Sequence, residues 1–304
     1  MPRPDFAAPR ISSEEFASLR AVRRENPAAI ASALAARARR PLVAGNGRLF
    51  IIAADHPARG ALSVGKDRMA MASRYELLQR LVLALSRPGV DGVLGTPDII
   101  DDLALLGALD GKIAVGSMNR GGLRGAAFEM DDRYTGYDVE TVVDSGLDAA
   151  KLLLRVNLGD PGTVRTIEES ARVVTASAHA KLPIMLEPFM SEWVDGRVVN
   201  DLSADAVITS VAIASGLGAS SAYSWLKLPV VNEMERVMES TTLPTLLLGG
   251  DTDAAPEETY AAWGAALALP GVHGLMVGRS LLYPPHGGDV TQAVDTAADL
   301  VHGR

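Results

Sequence analysis

Short apolar runs alternate with longer amphipathic segments along most of the chain, beginning at Arg48. Runs of four to seven apolar residues bounded by Gly, Asp or Pro are typical of buried β-strands. Eight of them occur: Leu49–Ala54, Val90–Leu94, Ile113–Gly116, Ala150–Val156, Pro183–Leu186, Tyr223–Leu228, Thr245–Leu248 and Gly274–Val277.

The segments between these runs are amphipathic or alanine-rich and predict helices. They include Arg68–Ser86, Thr163–Ala180, Ser203–Gly216, Glu233–Ser240, Pro256–Leu269 and Asp289–Val301. Eight strand–helix units in succession favour an α/β protein with a closed (β/α)₈ TIM barrel. A doubly wound open sheet is the rival, but no glycine fingerprint follows the first strand. We therefore predict one barrel domain over residues 48–304.

Residues 1–47 precede this rhythm and predict an N-terminal helical extension. Ser12-Ser13-Glu14-Glu15 is a helix-start signal, and Pro27–Arg40 predicts a second helix. The second helix ends in a basic cluster formed by Arg37, Arg39 and Arg40. Arginines at a helix C-terminus complement the helix dipole, so we expect them to face solvent rather than bind nucleic acid.

Composition narrows the range of partners. The chain has 48% hydrophobic and 22% charged residues and a formal net charge of −8, which is a globular balance that argues against nucleic-acid or acidic-membrane binding. The absence of cysteine excludes disulfides, thiolate zinc sites and a cysteine nucleophile. No apolar run approaches the roughly 18 residues of a membrane span, and Met1–Arg10 lacks a signal-peptide core. We expect a cytoplasmic protein.

Lys227 lies among apolar residues near the end of the sixth predicted strand, within Ala222–Pro229. Burying an ammonium without a partner costs several kcal/mol, so such a lysine tends to lose its proton or find a carboxylate. A neutral amine at the end of a barrel strand can attack a carbonyl and form a Schiff base. The alternative is a lysine whose stem packs while its head reaches water.

Other polar residues follow the remaining strands and are expected to meet Lys227 at the barrel mouth. Lys151 is either a second cation that lowers the pKa of Lys227 or a structural ion-pair partner of Glu187. Imine chemistry also needs a group that shuttles protons, and Glu187, Asp55 and Tyr134 are the candidates.

Two glycine-bearing strand ends predict a phosphate site. Gly249-Gly250 follows the seventh strand and Gly278-Arg279 the eighth. Barrels often bind phosphate there, because glycine lets backbone N–H groups approach an anion and arginine pairs with it bidentately. The alternative is that these glycines only make tight turns.

A long connection, with the arginine-rich loop Asn119–Arg133, follows the third strand. Long loops in compact domains are usually functional or mobile. We expect arginines around it to contact anionic parts of a substrate; the candidates are Arg59, Arg120, Arg124 and, on the fourth strand, Arg155.

The sequence contains no motif typical of a metal site or of a serine hydrolase. Possible metal ligands are Asp55 and His56, with His179, His273, His286 and His302 elsewhere, but no HxH or HExxH spacing occurs. No Gly-x-Ser-x-Gly elbow or P-loop occurs either. We predict neither a metal site nor a cofactor.

An ordered set of residues gives the chain a resemblance to a known family. The set is Ala53–His56, Lys151 with Arg155, Glu187, Leu226-Lys227 followed by Pro229, Leu248–Gly250 and Val277–Arg279. Over roughly Arg48 to Tyr283 it resembles the class I aldolases of the deoxyribose-phosphate and tagatose-bisphosphate aldolase superfamily. The resemblance implies that Lys227 forms the imine, that Asp55, Lys151 and Glu187 line the active site, and that Gly250 and Arg279 hold a phosphate.

The chain is also similar to an actinobacterial branch associated with inositol breakdown. That similarity implies cleavage of 2-deoxy-5-keto-gluconate 6-phosphate to dihydroxyacetone phosphate and malonate semialdehyde. The function predicted is a metal-independent class I aldolase acting on a phosphorylated keto sugar or sugar acid. The alternatives are a transaldolase-like barrel, a non-catalytic phosphosugar-binding barrel and a phosphosugar isomerase using Glu187 as base. Beyond the substrate, we expect no nucleic-acid or membrane partner and a homo-oligomeric assembly.

Overall fold

A computed structural model describes residues 10–119, 122–249 and 255–303, and eight parallel strands form its centre. The strands of the described chain are β1 (Leu49–Ala53), β2 (Gly92–Gly95), β3 (Ile113–Ser117), β4 (Ala149–Val156), β5 (Ile184–Val194), β6 (Arg197–Asn200), β7 (Ser224–Leu228), β8 (Thr245–Leu248) and β9 (Val272–Val277). All except β6 pair in the order β1-β2-β3-β4-β5-β7-β8-β9, and β9 pairs back with β1. The sheet is closed, which confirms the predicted (β/α)₈ barrel.

Helices cover the outside of the strands. They are α1 (Ser13–Glu25), α2 (Ala28–Ala36), α3 (Arg74–Ser86), α4 (Pro97–Leu105), α5 (Val139–Asp144), α6 (Gly162–Ala180), α7 (Ala204–Ser215), α8 (Met234–Glu239), α9 (Pro256–Leu267), α10 (Arg279–Leu282) and α11 (Val290–His302), with short 3₁₀ helices at His56–Arg59 and Pro285–Gly287. None of the helices within the described ranges is long and apolar enough to cross a membrane.

Several boundaries differ from the prediction. The helix predicted from Arg68 begins only at Arg74, because the Ser73 side chain caps it by accepting a hydrogen bond from the Glu76 amide. The second helix of the extension ends at Ala36, four residues before the predicted end.

The β5–β6 hairpin is the largest feature that the sequence pattern did not predict. Strand β5 runs on beyond the barrel and turns back as the antiparallel β6. Trp193 Nε1 donates to Asp160 Oδ2 at 2.5 Å and so ties the hairpin to the loop that follows β4.

Strand alternation separates an inner from an outer core. Leu49, Ile51 and Ala53 of β1 belong to a cluster inside the barrel that also contains Leu94, Ile113, Val115, Ala149, Met185, Leu246 and Met276. The intervening Phe50 and Ile52 pack outward in the cluster shared with the helices. Because side chains alternate between the two faces, every second residue beyond these inner positions also points to the barrel axis.

The N-terminal extension packs against the end of the barrel where the strands begin. Arg37 is buried there, and its Nη1 lies 2.9 Å from Asp148 Oδ2, just before β4. Arg40 pairs at 2.6 Å with Asp91, just before β2. The expectation that this cluster faces solvent is therefore wrong for Arg37, because a buried carboxylate from another unit requires a counter-charge.

Candidate active site

Lys227 lies inside the barrel close to the C-terminal end of β7. Trp225 packs against the inner cluster, and two residues further on the Lys227 side chain has the same orientation. The residue is only 3% exposed, and its Nζ donates to Glu187 Oε1 at 2.5 Å. The buried ammonium has found a carboxylate, which is one of the two outcomes that burial imposes on a lysine.

A second lysine contacts the other oxygen of the same carboxylate. Lys151 Nζ forms an ion pair with Glu187 Oε2 and also donates to Asp55 Oδ2 at 3.3 Å. The four side chains thus alternate in charge in the order Lys227, Glu187, Lys151, Asp55, and we call them the lysine–carboxylate chain. All four are at least nine-tenths buried. An ion pair between Lys151 and Glu187 was one of the two alternatives for Lys151, and the structure contains it.

Ser117 contacts the lysine–carboxylate chain, and it was not predicted from the sequence. Its Oγ donates to Asp55 Oδ2 at 3.1 Å, so it helps to orient that carboxylate. The available signal was the alternation of β3, where Ile113 and Val115 point inward and Ser117 is the next inward position.

Electrostatics keep Glu187 ionised. Burial alone would raise the pKa of this carboxyl, but the ammonium groups of Lys151 and Lys227 outweigh burial and hold the pKa well below its usual range. A carboxylate held between two cations is a firm counter-ion and a weak base in this resting arrangement.

His56 adds a neutral side chain to the mouth. Its Nδ1 lies 3.7 Å from Asp55 Oδ1. Burial, together with the positive charges of Arg279 and Lys227, lowers the pKa of the imidazole well below its usual value, so the ring is neutral at neutral pH. Across the described ranges, no group of three or more His, Cys, Asp or Glu side chains is arranged to hold a metal ion.

Tyr134 is a correction to the predicted site. Its hydroxyl donates to Ser170 Oγ on α6 at 3.0 Å, and its ring packs against the outer core between strands and helices. Burial raises the pKa of the phenol. The residue stands on the opposite side of the barrel wall from the inward-facing Lys227, so the geometry does not support Tyr134 as the proton shuttle.

Arg59 and Arg155 already have carboxylate partners within the protein. Arg155 donates to the Glu129 side chain and to its backbone carbonyl, both at 2.7 Å. Arg59 forms a buried ion pair with Asp132. Both acids belong to the long connection after β3, so the two arginines hold this connection against the barrel instead of presenting open anion-binding groups.

The other arginines of the predicted anion site are placed differently. Arg124 is exposed, and it donates to Ser63 Oγ at 2.8 Å through its side chain and to the Arg59 carbonyl through its amide. Arg120 lies outside the described residues. Arg124 is therefore the one candidate of this loop that the structure leaves accessible within the ranges it describes.

The predicted phosphate site lies where β8 and β9 end. A Cβ at Gly249 would meet Val277 Cγ1 at 2.7 Å, and a Cβ at Gly278 would meet the Ala53 carbonyl at 2.0 Å. Both positions thus require glycine for strand packing alone. Arg279 follows as the first residue of α10, and its Nη1 donates to the Ser63 carbonyl at 3.4 Å. Gly250 lies outside the described residues.

Ser280, beside Arg279, carries a buried hydroxyl that makes no hydrogen bond with any described residue. A buried polar atom without a partner is costly, so it marks a position where a ligand or water oxygen fits. It lies 3.4 Å from a Cβ built at Gly249, at the junction of the two glycine-bearing strand ends.

Known structures share this architecture. The crystal structure of Cgl0159 from Corynebacterium glutamicum (Brevibacterium flavum) is 66% identical, with 96% of this chain and 98% of that chain covered and a TM-score of 0.94. An archaeal fructose 1,6-bisphosphate aldolase is 20% identical over 90% of this chain and 100% of that chain, with a TM-score of 0.63. At that identity the likeness shows the fold alone.

Another archaeal fructose-1,6-bisphosphate aldolase structure has its catalytic lysine covalently bound to the carbinolamine intermediate of the substrate. It is 19% identical over 90% of this chain and 99% of that chain, again with a TM-score of 0.63. No curated protein matches the chain. The Cgl0159-like family model matches residues 47–298, and the chain therefore belongs to the Cgl0159-like family.

Proposed function

We propose that this protein is a metal-independent class I aldolase that cleaves or forms a C–C bond in a phosphorylated keto sugar or keto sugar acid. The observation that carries the proposal is the buried Lys227 Nζ at the barrel mouth, 2.5 Å from Glu187. A lysine in this position, with a carboxylate at hydrogen-bond distance, has the partner that imine formation requires.

The proposed reaction begins with Lys227 as a neutral amine. Its nitrogen adds to the substrate carbonyl, and the resulting carbinolamine loses water to give an iminium ion. Breaking the C–C bond sends its electron pair towards the iminium nitrogen and forms an enamine, while the adjacent hydroxyl loses its proton to a base and becomes a carbonyl. Protonation of the enamine and hydrolysis of the imine then release the second product and regenerate Lys227.

Glu187 is the acid–base residue that the contacts support. While both lysines are charged its basicity is suppressed, but loss of the Lys227 proton removes one of the two cations. Glu187 then becomes more basic at the step that needs proton transfer to and from the carbinolamine oxygen. The iminium restores a positive charge at the same nitrogen, and Glu187 stabilises it as a counter-ion.

Asp55 lies at the far end of the lysine–carboxylate chain from Lys227 and contacts Lys151. Lys151 and Ser117 both donate to its Oδ2. We assign it the role of holding Lys151 in place; a direct role on the substrate hydroxyl is the alternative.

The substrate phosphate is proposed to bind where Gly249, Gly278, Arg279 and Ser280 meet. The buried hydroxyl of Ser280 and the adjacent guanidinium support an anion at this point. The resemblance of the sequence to the inositol-associated branch makes 2-deoxy-5-keto-gluconate 6-phosphate the first substrate to assay, with dihydroxyacetone phosphate and malonate semialdehyde as the expected products.

A phosphosugar isomerase with Glu187 as base is less well supported. Such a base needs an oxygen free to take a carbon-bound proton. Both oxygens of Glu187 are engaged by lysines, and its pKa is held low.

The decisive experiment is borohydride reduction in the presence of dihydroxyacetone phosphate, followed by peptide mass spectrometry. We expect a mass gain on the peptide that contains Lys227 and none in Lys227→Met. Lys181→Met, which removes an exposed lysine at the end of α6, should be trapped like the parent.

Other outcomes would change the proposal. A gain on Lys151 would exchange the roles of the two lysines. No gain with dihydroxyacetone phosphate or with a panel of phosphorylated keto sugars would overturn the Schiff-base assignment, and phosphosugar binding without trapping would indicate a non-catalytic barrel.

A further inference from the structure

A second cavity lies at the opposite end of the barrel from Lys227. Its volume is about 520 Å³, and it is lined by the residues that lead into β1, β2 and β3 and by the ends of α3 and α11. The charged and titratable side chains in its wall are Arg40, Arg48, Arg87, Asp91, Lys112 and His302. We call it the basal pocket.

The basal pocket is cationic in a protein that is anionic as a whole. Three arginines and one lysine line it, against one carboxylate, whereas the whole chain has a net charge of −8. Cations gathered in a concave site focus a positive potential and attract small anions.

Ion pairs within the protein neutralise only part of this charge. Arg40 pairs with Asp91 at 2.6 Å, and Arg87 pairs bidentately with Asp295 at 2.9 and 2.7 Å. The other two cations of the pocket, Arg48 and Lys112, are not part of these ion pairs.

Arg48 has no carboxylate partner among the described residues, and Lys112 is attracted only by Asp91, with which Arg40 already pairs. Lys112 Nζ donates to the Val90 carbonyl at 2.6 Å, and burial lowers the pKa of this ammonium. The Arg48 guanidinium makes no hydrogen bond or ion pair with any part of the described chain, although it is half-buried in the pocket wall. Two cations whose charge the protein does not fully neutralise match a ligand with two negative charges.

We propose that the basal pocket binds a small phosphate monoester through Arg48 and Lys112. A phosphate dianion has the charge to complement Arg48 and Lys112 together, and a guanidinium binds phosphate oxygens in a bidentate manner. The volume falls within the range of about 300–1,000 Å³ that is usual for small-molecule sites. The site is separate from the barrel mouth, so its ligand binds without displacing a substrate at Lys227.

The absence of cysteine permits a local test. Ser86 is an exposed residue in the pocket wall, and Ser86→Cys would be the single thiol of the chain, which a trifluoromethyl reagent labels specifically. The ¹⁹F signal then reports inorganic phosphate at this pocket and not at the mouth. Phosphate is titrated at constant ionic strength, with NaCl as the compensating salt.

We expect a saturable ¹⁹F shift with phosphate and none with succinate. In the labelled background, Arg48→Gln and Lys112→Met should each raise the phosphate Kd about tenfold or more, because each removes a charge-assisted contact. Arg197→Gln, which neutralises an exposed arginine on β6, should leave the Kd unchanged.

Three results would overturn the proposal. They are the absence of a saturable shift in the parent, an equal Kd in Arg48→Gln and Arg197→Gln, and an equally tight response to succinate. The last would make the pocket an unselective anion crevice. A melting curve for each variant checks that it is folded.

Discussion

Buried ion pairs occur at both ends of the barrel, but lysines form those that surround Glu187 at the mouth, whereas Arg37 forms the one with Asp148 at the base. A lysine can lose its proton and act as a nucleophile, while an arginine stays charged at any physiological pH. The mouth is therefore suited to covalent chemistry and the base to holding parts of the chain together.

The geometry of the partners supports this contrast. Arg37 also donates to the carbonyls of Lys112 and Gly146, both at 2.6 Å, so its guanidinium joins the extension to two separate βα units. Lys227 instead donates to a carboxylate oxygen of Glu187 in a polar mouth. Substitutions at the two ends should accordingly separate activity from stability.

Lys227→Met should have the largest effect on activity. We expect aldol cleavage to fall on the order of 10⁴-fold or more, because the group that forms the covalent intermediate is gone. Steady-state kinetics measures this loss, with Lys181→Met as the control. Residual activity near that of the parent would show that the reaction does not pass through a Lys227 imine.

Arg37→Met should have the largest effect on stability. Removing Arg37 leaves the buried Asp148 with only the exposed Arg39 as a counter-ion. We expect a cost of about 3 kcal/mol, the lower end of the range for breaking a buried ion pair. Chemical denaturation measures the loss, and kcat per folded molecule should stay unchanged. Arg24→Met is the matched control, since Arg24 pairs with Glu25 at the surface. Equal stability of the two variants would remove the distinction drawn between the ends.

Lys151→Met tests the lysine to which the proposal assigns no imine. We expect kcat to fall about 10²–10³-fold, as for loss of one preorganised electrostatic group, while borohydride trapping still occurs at Lys227. A variant with unchanged kcat but reduced stability would make Lys151 a structural residue only.

The pH dependence of stability should differ between the parent and Lys151→Met. The pKa of Glu187 is lower in the folded protein than its ordinary value of 4.5, so the unfolded state takes up the proton first as the pH falls. The contribution of Glu187 is present above about pH 4.5 and declines below it. Lys151→Met removes one of the two cations, and its melting temperature should fall less steeply below that pH. Parallel curves would contradict this coupling.

Tyr134→Phe should have the smallest effect. It removes the hydrogen bond to Ser170, which is worth about 0.5–1.5 kcal/mol, and leaves the ring in the outer core. Activity should be close to that of the parent. A loss of kcat without a loss of stability would restore Tyr134 as a proton shuttle and contradict its place outside the barrel wall.

The sequence predicted the elements of the mouth well. Alternating apolar runs located the strands, and the position of Lys151, Glu187 and Lys227 relative to each run placed them at one end of the barrel. Their common inward direction follows from the two-residue period of a strand, which is a local property. Ser117 obeys the same rule.

The sequence did not predict which side chains pair with one another. Arg59 and Arg155 had the composition of an anion site, yet they pair with Asp132 and Glu129 of a loop that folds back over the barrel. Tyr134 had a suitable side chain, but its loop turns it to the outer face. None of these contacts follows from the local sequence pattern, because each joins residues far apart in the chain.

The sequence alone therefore determined the barrel and the end at which its polar residues meet, because strand period and strand–helix alternation are written in neighbouring residues. Only the tertiary structure decided that one carboxylate bridges two lysines, and that the arginines of the extension close the base of the barrel. Such pairings depend on which loops and strands become neighbours on closure. Because an unpaired buried charge costs several kcal/mol, each buried charge pairs with an oppositely charged group nearby.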